Sequence, residues 1–188
     1  MVAFAAFAKG NCGGGVSGIV LQAKCEDCAA LCCVLLAFDA GKAFGFDKAA
    51  MEPCRNLTAG NKCRGHGTLA QDGFGGCVAF DCHGAGQRVV QEVFGGLSWR
   101  DDPGLMPAME AAFRGMRRLH EAVVLLEAAA GLGLSGAQEA ERQAVLAGLE
   151  AERRRDVAEL VAFEGGAALA AVPVYLATLR GAVRPRHR

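Results

Sequence analysis

Between Cys25 and Cys82 the chain places eight of its nine cysteines, in the order C-x2-C-x3-C-C and then Cys54, Cys63, Cys77 and Cys82. Such a density of thiols must be tied together by disulfides or by metal, and the redox compartment decides which. The first 24 residues are small and apolar. They lack a cationic leader, Lys9 and Asn11 interrupt them, and Gly13-Gly14-Gly15 breaks any helix, so a signal peptide is disfavoured. A cytoplasmic location follows as the default, and there thiols stay reduced and bind metal. In an exported chain the eight cysteines could pair in 105 ways, and a secreted disulfide scaffold ranks last among the readings.

Soft thiolates suit zinc and iron–sulfur clusters. A closed zinc site or a [4Fe–4S] cluster takes four ligands, so eight cysteines exceed one such centre. Two four-ligand sites, a polynuclear site with bridging sulfurs, and one site plus buried thiols all remain open. His66, three residues after Cys63, and His83, directly after Cys82, are further candidate ligands. Asp81 reads as a turn or supporting residue, and Cys12 as a bystander in the tail.

Residues 25–38 carry helix formers without Gly or Pro, which predicts a short helix. On it Cys25, Cys28 and Cys32 fall within about 60° of arc, one face with three thiols. Cys33 lies to the flank. Residues 39–62 read as an irregular excursion whose aromatics, Phe44 and Phe46, fold back over the cluster. Pro53 stiffens the loop that carries Cys54. Thr68–Asp72 fits one helical turn, Cys77–Cys82 an extended segment, and Gln87–Phe94 a short helix stopped by Gly95-Gly96. Trp99 is expected to anchor the junction to the next unit.

Beyond it cysteine disappears and a helical pattern takes over. Asp102 and Pro103 suit a helix start, with Pro107 as an equal alternative. Leu105, Met109, Ala112, Phe113, Met116, Leu119, Val123 and Leu126 form an apolar stripe. His120 reads as a surface or boundary residue. Gly131-Leu132-Gly133 ends this helix, and Ser135 with Gln138 forms a capping box for a second one. That second helix carries Val145, Leu146, Leu149, Val157, Leu160 and Val161, with Glu150–Arg154 and Arg155–Glu159 pairs. A short helix kinked or started at Pro173 follows. No run reaches the ~18–20 apolar residues of a membrane span.

The fold expected is mainly α: an irregular cysteine-rich metal-binding module followed by an antiparallel helical hairpin. The divisions are 1–24, a tail; 25–100, the module; 101–180, the helical region; and 181–188, a basic tail. Twenty acidic and twenty basic side chains balance, so no nucleic-acid partner and no membrane partner is expected. A protein partner would dock through the helical region. G-x-G at Gly84-Ala85-Gly86 lacks the rest of a dinucleotide fingerprint.

C25-x2-C28-x3-C32-C33, C54-x-N-L, C63-x2-H66 and G76-C77-x2-F80-x-C82 together resemble the YkgJ-like family of zinc- or iron-chelating proteins. C-x-N-L and GxxGCxxFDCxGAGQ are closer still to the cysteine-rich N-terminal region of actinobacterial pentapeptide-repeat proteins. The resemblance covers roughly residues 25–160. No A-[DN]-L-x-x repeats follow, so the β-solenoid is not expected, and Gly65-His66 stands where the family has I-Y or I-H. By this resemblance Cys25, Cys28, Cys32, Cys33, Cys54, Cys63, Cys77 and Cys82 are metal ligands or support a cluster. A related motif in flagellin lysine methylases carries an iron–sulfur cluster, which favours iron–sulfur over zinc. The expected function is a metal-binding protein with a structural or electron-transfer centre. The alternatives are a metalloenzyme with an open coordination position, and a thiol redox sensor or metal-trafficking protein.

Overall fold

The computed structural model describes residues 18–151 and 156–181 of the chain. It is mainly helical, and among the described residues there is no strand, only two isolated antiparallel bridges, Phe38–Lys48 and Leu57–Cys63. After a 3-10 turn at Cys25–Asp27 come α1 (Leu31–Leu35), α2 (Gly75–Ala79) and α3 (Ala85–Arg88). A π-helical turn, Val89–Val93, continues α3. The helical region holds α4 (Met106–Ala129), α5 (Gly136–Ala151), α6 (Val157–Glu164) and α7 (Ala167–Thr178).

The long helix α4 forms as its pattern dictates. Asp102 Oδ1 accepts from the Gly104 N–H at 2.8 Å, a 3-10 turn runs from Pro103 to Leu105, and the α-helix proper starts at Met106 with Pro107 in its first turn. Both candidate starts are thus used in succession. Every residue of the apolar stripe from Met109 to Leu126 is buried. Gly133, at φ +69°, turns the chain, and Ser135 and Gln138 exchange the two reciprocal capping bonds at 2.9 and 3.3 Å.

The second helix departs from expectation. α5 is described over Gly136–Ala151, and a separate helix α6 starts with Asp156 as N-cap, its Oδ1 accepting from the Glu159 N–H at 2.7 Å. The pairs Glu150–Arg154 and Arg155–Glu159, and the run Arg153-Arg154-Arg155, involve positions outside the described residues. The hairpin is therefore part of a larger packing. α4 lies against α5 after the Gly133 turn, yet its broadest contact is with α6, while α7 covers α5 and α4. Arg142 donates from Nη1 to the Leu126 carbonyl at 3.2 Å, and Tyr175 from its hydroxyl to the Gln138 carbonyl at 3.2 Å. At the α4–α6 crossing, Gly115 lies so close to Leu160 that a Cβ there would stand 2.5 Å from the Leu160 carbonyl oxygen.

Pro173 sits inside α7, whose N-terminus follows the extended Gly166. From Val157 to Gly181 the chain is long and apolar enough to cross a membrane by length and composition, with an 18-residue window of mean hydropathy 1.7. This differs from the expectation, because α6 and α7 join two apolar runs across Gly165-Gly166. Leu160, Phe163, Val172, Tyr175 and Leu179 turn into the core, while Val161 and Val174 face outward.

The cysteine-rich segment and the helices share one hydrophobic core. Leu31, Val34 and Leu35 of α1, and Ala85, Val89 and Val90, pack with Met109, Phe113, Met116 and Leu119 of α4. Trp99 anchors the junction as expected: its Nε1 donates to the Ala29 carbonyl at 2.9 Å, and the Arg100 guanidinium lies 4.2 Å from its ring. Residues 18–24 dock as well. Ile19 is buried, and the Gln87 amide donates to the Gln22 carbonyl and accepts from the Lys24 N–H. Residues 1–17, with Cys12, and 182–188 lie outside the described residues.

Candidate metal centre

The helix expected over 25–38 is broken. Ala29 and Ala30 both adopt left-handed backbone angles, φ +48° and +56°, between the 3-10 turn and α1. Each costs roughly 1–2 kcal/mol for a residue with a Cβ. The Trp99 hydrogen bond to the Ala29 carbonyl holds the reversal. Cys25, Cys28 and Cys32 therefore do not share one helical face. Instead, Cys28 folds inward against α3: a Cβ at Gly86 would lie 3.1 Å from the Cys28 Cβ and 3.8 Å from its Sγ, so only glycine lets the two backbones approach this closely. The Cys28 thiol donates to the Cys25 carbonyl at 3.2 Å.

Cys77–Cys82 is likewise not extended from its start. The Phe74 carbonyl accepts from the Cys77 and Val78 N–H groups, which opens α2, and only Phe80 returns to extended geometry. Thr68–Asp72 makes the expected single turn, closed by an Asp72 N–H bond to the Thr68 carbonyl at 2.9 Å.

The excursion 39–62 is ordered by its aromatics. Phe38 stacks on Phe44 with ring centres 4.4 Å apart, Phe46 meets Phe38 at 5.6 Å and Phe74 at 5.0 Å, and Arg55 lies 3.5 Å over Phe46. The Cys54 N–H donates to the Cys33 carbonyl at 2.9 Å, which draws the proline-held loop to α1. The Leu57–Cys63 bridge then returns the chain, and Arg100 clamps this loop by bonds to Asn61 Oδ1 and the Thr58 carbonyl.

Lys48 is the residue that sequence reasoning missed here. It is buried, and its ammonium donates to the carbonyls of Val34, Leu36 and Ala49. Burial holds its pKa down, while the charges on Cys54 and Cys33 oppose that shift. Nothing in the local sequence F-D-K-A-A separates this lysine from a surface one.

All eight residues are free thiols. Cys25 is exposed, Cys28 buried, and the rest half-buried. Burial pushes Cys28 and Cys77 up to about 11, and raises Cys25 and Cys63. Cys32 and Cys33 lie with their sulfurs 4.0 Å apart. Cys33 is held down to about 7 by the hydrogen bond from Cys32 and then by Lys48, while the same bond raises Cys32.

The histidines divide. His66 is exposed in the turn after Cys63. His83 adopts φ +50°, its Nδ1 is 3.7 Å from Asp81 Oδ2, and Asp81 Oδ1 accepts from the His83 N–H at 2.7 Å. Asp81 thus holds the turn, as expected of it. His120, read from sequence as a surface or boundary residue, is fully buried. Its Nδ1 meets the His83 carbonyl and its Nε2 lies 3.0 Å from Arg88 Nη1, with Arg88 in turn paired to Glu92 at 3.0 Å. Burial depresses its pKa to about 4, so the ring is neutral. A neutral ring with Arg88 as donor to Nε2 places the proton on Nδ1, which donates to His83. This fixes the backbone just after Cys82 to α4.

The donor set fits a thiolate-bound metal in kind and number. Among the described residues, however, no three Cys, His, Asp or Glu side chains converge closely enough to hold an ion as they stand. The sulfurs of Cys32 and Cys33 approach to 4.0 Å, and ligation by more of the eight calls for their side chains to turn toward one another.

No protein-family model matches the chain, and no solved structure does. Over 115 residues, 61% of the chain, it is 39% identical to the uncharacterized protein YybG of Bacillus subtilis (strain 168). The matched stretch spans 41% of that relative.

Proposed function

We propose that the chain is a metal-binding protein in which Cys25, Cys28, Cys32, Cys33, Cys54, Cys63, Cys77 and Cys82 supply thiolates to an iron–sulfur or zinc centre, with iron–sulfur preferred. Its role is structural or electron-transferring, and its setting the reducing cytoplasm. The observation that carries the reading is the number of thiols, eight between Cys25 and Cys82, on segments that backbone bonds tie together. The Cys54 N–H is bonded to the Cys33 carbonyl, and Cys28 is pressed against the turn after Cys82. Metal would draw off the protons that burial now keeps on Cys28 and Cys77. The resemblance to YkgJ-like chelating proteins rests on the order of these same cysteines.

The test is metal and sulfide analysis, with an absorption spectrum, on protein purified without oxygen. Bound iron with sulfide and broad visible absorbance supports a cluster, and stoichiometric zinc in colourless protein supports the zinc form. Unchanged metal content and folding in both Cys28→Ala and Cys77→Ala would overturn the proposal.

A second reading has its own observation. The sulfurs of Cys32 and Cys33 lie 4.0 Å apart, with the ammonium of buried Lys48 bonded to the Val34 carbonyl of the same helix, an arrangement that suits a reactive thiol pair, as in a redox sensor. Alkylation that is selective for Cys33 in metal-free, reduced protein would favour it, and uniform slow labelling would sink it.

A further inference from the structure

We infer that the outer face of α6 and α7, with the arginine-rich stretch that follows it, docks on the surface of an anionic lipid bilayer. The inference is independent of what the cysteines bind.

No charged residue occurs between Ala167 and Leu179, so α7 is apolar on every side. Its inward side fills the core through Val172, Tyr175 and Leu179. On its outward side a surface helix ordinarily places charged residues; here Ala170, Pro173, Val174 and Ala177 are exposed instead. These positions follow i, i+3, i+4, i+7 and fall on one helix face. Val174 is 68% exposed, and Val161 of α6 is 44% exposed. Within Val157–Gly181 only 22% of the 18-residue apolar window is buried inside the protein, so most of it is left for something else to cover. The two helices do not act as one span, because they are separate elements joined at Gly165-Gly166 and their Leu160, Phe163, Val172 and Tyr175 are held in the core. The face meets a bilayer from the side, as an interfacial helix does.

The apolar surface continues onto α4. A groove of about 370 Å³ is lined by Leu125, Leu169, Ala170 and Pro173, so it shares two residues with the outer face of α7. Leu125 is 51% exposed. Of the charged residues that also line this groove, Glu121 pairs with Arg117 at 3.1 Å and Glu164 with Arg114 at 2.8 Å. Arg118 is exposed there and makes no ion pair among the described residues.

Charge selects the occupant. Acidic and basic side chains balance over the whole chain, but the stretch from Arg180 to Arg188 holds four arginines, His187 and no acid. Each arginine beside an anionic surface strengthens binding about fivefold. Protein interfaces concentrate their energy in Trp, Tyr and Arg anchors at the centre. Here alanine, proline, valine and leucine form the face and the arginines follow at its end, an order that suits lipid tails flanked by anionic headgroups.

The test is co-sedimentation of the full chain with vesicles of phosphatidylglycerol and phosphatidylcholine in equal parts, and with vesicles of phosphatidylcholine alone. Binding to the anionic vesicles, absent from the neutral ones and weakened by salt, is expected. Val174→Glu, and separately Arg184→Ser/Arg186→Ser, should each weaken it about tenfold or more. Leu97→Glu, at an exposed apolar position outside α6 and α7, should leave it unchanged. No binding to the anionic vesicles, or equal binding to the neutral ones, overturns the inference. Undiminished binding by Val174→Glu, with helical circular dichroism retained, overturns it too. Should that variant fail to fold, the arginine pair decides, and undiminished binding there counts against the inference in the same way. A dimer in sedimentation velocity that Val174→Glu abolishes, without vesicle binding, would mean that a second copy covers the face, and would also overturn it.

Discussion

Gly115 lies where α4 closely crosses α6, and replacing it with alanine measures how rigid that crossing is. An added Cβ would stand 2.5 Å from the Leu160 carbonyl oxygen and 3.1 Å from the Leu160 Cβ. The oxygen contact is about 0.8 Å inside the ~3.3 Å of a close carbon–oxygen approach. The obstacle is backbone, so no rotamer change relieves it, and α6 as a whole must move. Overpacking of this kind costs about 1–3 kcal/mol. Alanine returns about 1 kcal/mol through its better helix propensity, leaving a net loss of up to about 2 kcal/mol. Gly148, inside α5, is the control, because a Cβ there meets nothing within 4 Å. Gly148→Ala keeps the propensity gain and should stabilise by about 0.5–1 kcal/mol. Urea unfolding followed by circular dichroism, with all proteins in the same metal state, separates the two. A Gly115→Ala protein as stable as Gly148→Ala would refute the close α4–α6 approach.

His120→Ala strips buried partners from the His83 carbonyl and from Arg88, and should cost about 2–4 kcal/mol in urea unfolding; a change under about 0.5 kcal/mol would contradict the bridge. His120 is held neutral, so the unfolded chain binds the extra proton first. Its stabilising effect is complete above about pH 6.5 and is lost as pH falls toward about 4, up to about 3 kcal/mol. Comparing the pH dependence of unfolding for wild type and His120→Gln isolates this slope, and identical slopes would rule it out. Glu139, held down to about 2 chiefly by Arg142, adds stability that is present above about pH 4.5 and lost below it, and Glu139→Gln should flatten the acid limb there. Removing metal by chelation should open the excursion between residues 39 and 64 to trypsin at Lys42, Arg55, Lys62 and Arg64, while α4 stays intact; an unchanged digestion pattern would argue that metal does not order it.

Periodic and capping signals were legible in the sequence because they are local. The Met109–Leu126 stripe, the Ser135–Gln138 box, the Asp102 start and the Gly133 stop all appear where the residues put them. Reversals fixed by distant partners were not. Alanine gives no sign of the left-handed angles at Ala29 and Ala30, which depend on Trp99 reaching back across 70 residues. The α2 turn comes from the Phe74 carbonyl, although C-V-A-F-D-C alternates like a strand. Lys48 and His120 are polar residues buried by tertiary contacts, to which neither spacing nor composition points. Eight thiols could be counted from the sequence, but the backbone each loop bonds to, such as the Cys54 N–H on the Cys33 carbonyl, could not.

The central claim is that these thiols hold metal. The most direct measurement is the content of iron, zinc and acid-labile sulfide per chain in oxygen-free wild-type protein, set beside the count of thiols open to alkylation. Stoichiometric metal, with the eight cysteines from Cys25 to Cys82 shielded until a chelator is added, is the expected result. Metal-free, folded protein in which all eight alkylate freely would contradict it.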